Sequence, residues 1–171
     1  NVLHFGGGTS ISEQTSFAGF LNNYKNIIED TAFGGSVYTF LKSTSAPIQI
    51  TLSDSVKQLI ETGASLLTFF GHASGTSFDQ SIDQPHGYNN SARYPLILAN
   101  SCYSGNIHNP IGQGESTINE DYVLYANGGA IAFIAQVGQG MATFLNNYST
   151  DFYNQIGRYN YGKPMSHSMK R

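Results

Sequence analysis

The chain carries one cysteine, Cys102, in 171 residues. A lone thiol excludes an internal disulfide framework and a cysteine-based zinc site, so cysteine usage does not report the redox compartment. Charge is also scarce: Asp, Glu, Lys and Arg make up 11% of the chain, the formal net charge is −3, and there is no basic run. This argues against a nucleic-acid partner, because neutralising phosphates takes clustered Lys and Arg. No apolar stretch approaches the roughly 20 residues that span a bilayer, so no membrane span is expected. Surface polarity must come from Asn, Ser, Thr, Gln and Tyr instead. A signal peptide, an initiator Met and internal repeats are all lacking. Residues 1–5 read as a core strand and residues 165–171 as a helix just begun. The expectation is therefore one domain over residues 1–171, large enough for a sizeable core, excised from a longer parent with flanking domains.

What is present alternates between apolar runs and helical patterns. A strand VLHF precedes the glycines Gly6 to Gly8, and a helix is expected over 13–30 and a second strand over 35–41. Thr51 or Ser53 can cap a helix whose apolar positions Val56, Leu59 and Ile60 recur at helical spacing. A strand over 66–70 follows, then a long polar loop over 73–93. After Cys102 come a second polar loop, a helix over 116–125, a turn over 127–129, a strand over 130–137 and a last helix over 141–159. Near-continuous apolar strands separated by helices predict an α/β domain with a mostly parallel sheet covered on both faces.

Two of these strands end in reactive residues. The run ASLLTFF delivers Gly71 and His72 in GHASG, and thirty residues later YPLILANSCYSG delivers Cys102. Active sites of parallel sheets lie at the carboxyl ends of neighbouring strands, so this placement suits a thiol and imidazole pair. A thiol of ordinary acidity is mostly protonated at neutral pH, and an imidazole within reach can take its proton to give a nucleophilic thiolate. His72 is the candidate base and Cys102 the candidate nucleophile. Backbone N–H groups at sharp strand-to-loop turns can hold an oxyanion, and those of Ala73 and Cys102 are the candidates. The bland alternative is a small buried thiol and a loop histidine satisfied by backbone.

The blocks FFGHASG, YPLILANSCYSG, NEDYVLYANGGAIAFIAQVG and YGKPMSHSMK, in this order and spacing, resemble the caspase-like domain of the gingipain-type cysteine peptidases, from about Val2 to the end. The resemblance implies a caspase-like three-layer sandwich. It also implies a cysteine endopeptidase working through His72 and Cys102 by a thioacyl-enzyme, with a protein or peptide substrate and no cofactor in the chemistry. Relatives of this kind are secreted or cell-surface proteins of Bacteroidetes-like bacteria, some of which process cargo of the type IX secretion system. Where the family often has glycine after the histidine, this chain has Ala73. The acidic group that orients the histidine in some members finds no match by motif. The alternative from another class is a caspase-like binding or scaffolding module with a vestigial dyad. Transpeptidation is a third reading, because an amine can resolve an acyl-enzyme as water does.

Other features point elsewhere or nowhere. His108 and His86 are minor alternatives for the base, His4 suits a satisfied core position, and His167 suits the surface. The glycine run satisfies neither the dinucleotide fingerprint nor the Lys-containing phosphate loop, and GHASG places its serine one position too late for a nucleophile elbow. Asp79 and Asp83 are candidates for a substrate-binding pocket that favours a basic side chain. With Asn89 and Asn90 they also offer hard oxygen ligands for a structural calcium, although their spacing fits no EF-hand. The tyrosines suit packing at the core or its rim.

Overall fold

The computed structural model describes residues 1–50, 54–82, 84–108 and 116–169. Five strands form one all-parallel sheet: β1 (Val2–Gly6), β2 (Val37–Leu41), β4 (Leu66–Phe70), β6 (Leu96–Asn100) and β7 (Ala132–Ala135), in the order β2-β1-β4-β6-β7. A separate two-residue parallel pair joins β3 (Gln49–Ile50) to β5 (Gln80–Ser81). The helices are α1 (Ile11–Ile28), α2 (Asp54–Gly63), α3 (Ile118–Leu124), α4 (Ala142–Asn154) and the short α5 (Met165–Ser168). The expected caps Thr51 and Ser53 lie outside the described residues.

The apolar strand runs are explained by burial on both faces. Strand side chains alternate, so Leu3, Phe5, Leu67, Phe69, Ile97 and Ala99 meet Val56 and Ile60 of α2 and Ile118 and Tyr122 of α3. Val2, Leu66, Phe70, Leu96 and Leu98 meet Phe17, Leu21, Tyr24, Ile27 and Ile28 of α1 and Phe152 and Tyr153 of α4 on the other face. The result is a three-layer sandwich. Truncating Phe69, fully buried at its centre, to alanine costs about 3–5 kcal/mol by the usual cavity penalty. One polar cluster interrupts the second core: His4 Nε2 lies 2.8 Å from the Tyr153 hydroxyl, which is 2.6 Å from Thr68 Oγ1. Burial holds the His4 imidazole neutral, its pKa lowered to about 3. His4 is thus a core histidine, as its strand position suggests.

The segment over 73–93 departs from the expected polar loop. Phe78, Ile82 and Tyr88 join the first core, and Asp79, Gln80 and Asn90 are buried. The reason is local: the turn at Ser74–Ser77 folds the chain back so that Ala73 bridges Phe78, and Asp79 then pairs with Lys42. The segment also carries a single 3-10 turn, Pro85–Gly87. Strand β7 is shorter than the expected 130–137, because the carbonyls of Gln136 and Gly138 bond the loop after β6 instead of a strand.

Strand order sets where a site can form. The chain runs outward from β1 to β2, then crosses back over β1 to β4 and on to β6 and β7, so the strand order reverses between β1 and β4. Ligands of open parallel sheets bind at such a switch point.

Candidate active site

His72 and Cys102 stand in matching register. Strands β4 and β6 pair directly, with Phe70 opposite Asn100, and each candidate follows its strand end by two residues. Both line one cleft of about 520 Å³ over the carboxyl edge of the sheet, with Glu13, Phe17, Phe20 and Phe70 on one side and Gly140, Thr143 and Leu145 on the other. A depression of about 470 Å³ adjoins it beyond Gln139 and Gly140, and neither His72 nor Cys102 lines that one. Chemistry selects the first.

The turn after β6 exposes the thiol. Tyr103 adopts φ 57°, in the left-handed region that costs a non-glycine residue roughly 1–2 kcal/mol. Its N–H donates to Gly138 O at 2.9 Å, Gly105 N–H donates to Gln136 O at 2.9 Å, and Ser101 Oγ donates to Ser104 Oγ at 2.8 Å. These bonds tie the Cys102 loop to the β7–α4 loop and hold the strained turn. The Cys102 Sγ rests against Gly140, whose N–H points at it from 3.4 Å and whose carbonyl lies 3.7 Å away. Among the described residues no hydrogen bond joins the thiol to His72.

Two carboxylates fix the histidine. Asp79 is buried, and it accepts Gly8 N–H at 2.7 Å and His72 N–H at 3.1 Å while its second oxygen also pairs with Lys42 Nζ at 3.3 Å. It therefore clamps the chain after β1 to the chain after β4. Glycine at 7 is required by this clamp, since a Cβ there would collide with the Asp79 carboxylate. Asp79 is not among the residues that face the cleft, and Asp83 lies outside the described residues. Glu13 reaches the imidazole itself: Oε1 is 3.2 Å from His72 Nε2, an ion-pair distance without good hydrogen-bond alignment. Its Oε2 accepts Thr9 N–H and Thr9 Oγ1, each at 2.8 Å, and Ser10 N–H at 3.3 Å, while Ser10 Oγ caps Glu13 N–H. The Thr9 N–H above all, then its hydroxyl and His72, hold the Glu13 carboxyl at about 2 against burial, which works the other way.

Glu13 is a carboxylate beside the His72 ring that motif matching did not single out. A signal for it exists in the sequence: Ser10-x-x-Glu13 is a capping box, and it opens the helix that follows the strand beside β4.

The two candidate oxyanion donors are the N–H groups of Ala73 and Cys102. The bridge between Ala73 and Phe78 is made by Asp79 N–H to His72 O and Ser74 N–H to Ser77 O, so the Ala73 N–H points away from its own hairpin. Neither this N–H nor that of Cys102 has an acceptor among the described residues. Ala73 lies outside the left-handed region, so glycine is not needed there. The remaining histidines are elsewhere: the His86 ring packs tilted against Tyr125 with ring centroids 4.6 Å apart, and His108 and His167 are exposed. Among the described residues no group of three His, Cys, Asp or Glu side chains forms a metal cluster. Asn90 is instead bonded to Gly129 and Arg93.

A family model described as Peptidase family C25 matches residues 1–171. The chain belongs to peptidase family C25. Solved structures with the same fold include the Arg-specific cysteine proteinase gingipain R, with TM-score 0.68 and 16% identity, covering 91% of this chain and 36% of that one. A complex of Porphyromonas gingivalis RgpB pro- and mature domains matches with TM-score 0.69 and 15% identity, covering 94% and 38%. A third, described as a protease, gives 0.67 and 17% over 87% and 31%. The C25 chain thus has the caspase-like sandwich that its motifs imply, and it spans between three and four tenths of the length of these structures. No curated protein sequence matches it.

Proposed function

We propose that this C25 chain is the catalytic part of a cysteine endopeptidase in which Cys102 is the nucleophile, His72 the proton carrier and Glu13 the residue that orients His72. The observation that carries this is the register: two adjacent strands place a thiol and an imidazole two residues beyond their ends, in one cleft. With Nε2 turned to Glu13, Nδ1 is left for the thiol. Sγ turns from Gly140 towards Nδ1, gives up its proton and attacks the scissile carbonyl carbon. The carbonyl oxygen takes the negative charge, and the N–H groups of Ala73 and Cys102 stabilise it. His72 then passes its proton to the departing amine, leaving a thioacyl-enzyme. Water attacks that ester, His72 takes the water's proton and returns one to sulfur, and the carboxylic acid leaves. Glu13 stabilises the imidazolium formed in both halves.

Peptide substrates, protein partners such as a pro-domain, secretion or surface display, and processing of type IX secretion cargo extend this reading through the family. No cofactor has a role in these steps. Endoproteolysis of a denatured protein substrate is the test: cleavage by the native protein is expected to fall at least 1,000-fold in Cys102→Ala and in His72→Ala. Cleavage that survives Cys102→Ala overturns the assignment. A folded protein that cleaves nothing, yet binds a partner tightly, selects the scaffolding module.

A further inference from the structure

The wall of the cleft beside His72 is one aromatic cluster. Phe17 and Phe20 of α1 stand with ring centroids 5.0 and 5.1 Å from Phe70, and the Phe17 ring meets the His72 ring edge-on at 6.2 Å. Leu145 closes the opposite side. Among the described residues that line the cleft, Glu13 is the sole carboxylate, and no Lys or Arg is present. Both of its oxygens are engaged, one by Thr9 and Ser10 and the other by His72.

We infer that the cleft receives an aromatic or long aliphatic side chain from the residue that supplies the scissile carbonyl, and that it discriminates against Arg and Lys at that position. This rests on the peptidase reading above. A carbonyl held at Cys102 and Ala73 leaves the side chain of its own residue only two bonds away, so that side chain falls into the space between α1 and the β7–α4 loop. Apolar rings and Leu145 stabilise an apolar group there through buried area. A guanidinium or ammonium would lose water and find no free carboxylate among the described residues that line the cleft, which is costly. To pair with Glu13 it would have to draw that carboxylate away from His72. The solved neighbour with the same fold is described as Arg-specific, so the inference separates this chain from it.

The experiment uses the purified protein with one fluorogenic peptide series that differs only in the residue before the cleaved amide: Phe, Leu, Met, Arg, Lys or Glu. The parallel series of peptidyl acyloxymethyl ketones reports alkylation of Cys102 by mass. The expected result is kcat/KM, and ketone labelling rate, at least tenfold higher for Phe or Leu than for Arg or Lys. A second variant, Phe20→Asp, places a free carboxylate on the wall and is expected to shift the Arg-to-Phe ratio towards Arg by at least tenfold. Equal or better use of Arg or Lys by the native protein overturns the inference and leaves the peptidase reading standing, as does a ratio that Phe20→Asp does not move. Absence of both hydrolysis and Cys102 labelling across the whole series overturns the peptidase reading, and this inference with it.

Discussion

Asp79 and Glu13 both hold His72, one through its backbone and the other through its ring. Asp79 has a side-chain exposure of 6% and is paired with Lys42, whose side chain is fully buried, whereas Glu13 is 36% exposed. The buried carboxylate joins three segments, after β1, β2 and β4, and so belongs to the fold as much as to the site. The exposed one is held by its own helix cap and reaches out to a single group. The same residue chemistry thus sets where the histidine stands in one place and which way it faces in the other, and the difference lies in burial.

Substitution is the way to break this contrast. Asp79→Ala leaves the Lys42 ammonium buried without its partner and two N–H groups without an acceptor, and is expected to cost about 3–5 kcal/mol. Urea unfolding measures it, and activity should fall with the fold. Glu13→Gln is expected to leave stability within about 1 kcal/mol of native, because only a helix cap and exposed contacts change. Turnover, however, should drop about 10- to 100-fold as the imidazole loses its orienting charge. A loss of stability in Glu13→Gln that matches Asp79→Ala would erase the distinction.

A finer effect appears in acid. The folded Glu13 carboxyl titrates at about 2 against an ordinary 4.5, so the folded state binds fewer protons between these values. Its contribution is therefore present above pH 4.5 and lost as pH falls through 2. The native protein should lose stability over that window more steeply than Glu13→Gln, in paired urea titrations.

The uneven legibility of these two carboxylates has a physical reason. Strands and their reactive ends were readable because burial on both faces writes apolar runs, as in Leu66–Phe70 and Leu96–Asn100. His72 and Cys102 followed from those runs directly. Glu13 carries a local signal, the capping box, but its approach to His72 depends on β1 lying beside β4, which only the sheet order supplies. Asp79 sits in a segment of Ser, Asp, Gln and Asn that reads as solvated. Its burial depends on Lys42 from a distant strand end and on the absence of a Cβ at Gly7, neither of which leaves a periodic pattern. The contact between Sγ and Gly140 belongs to the same class, since it joins loops 38 residues apart.

The central claim is that His72, turned by Glu13, activates Cys102, and the rate of alkylation of Cys102 by iodoacetamide near pH 6.5 tests it most directly. It needs no substrate, and Cys102 is the only thiol in the chain. The account predicts a rate at least tenfold higher in the native protein than in His72→Ala, with Glu13→Gln between the two. Equal rates in all three, with the fold intact, would contradict it.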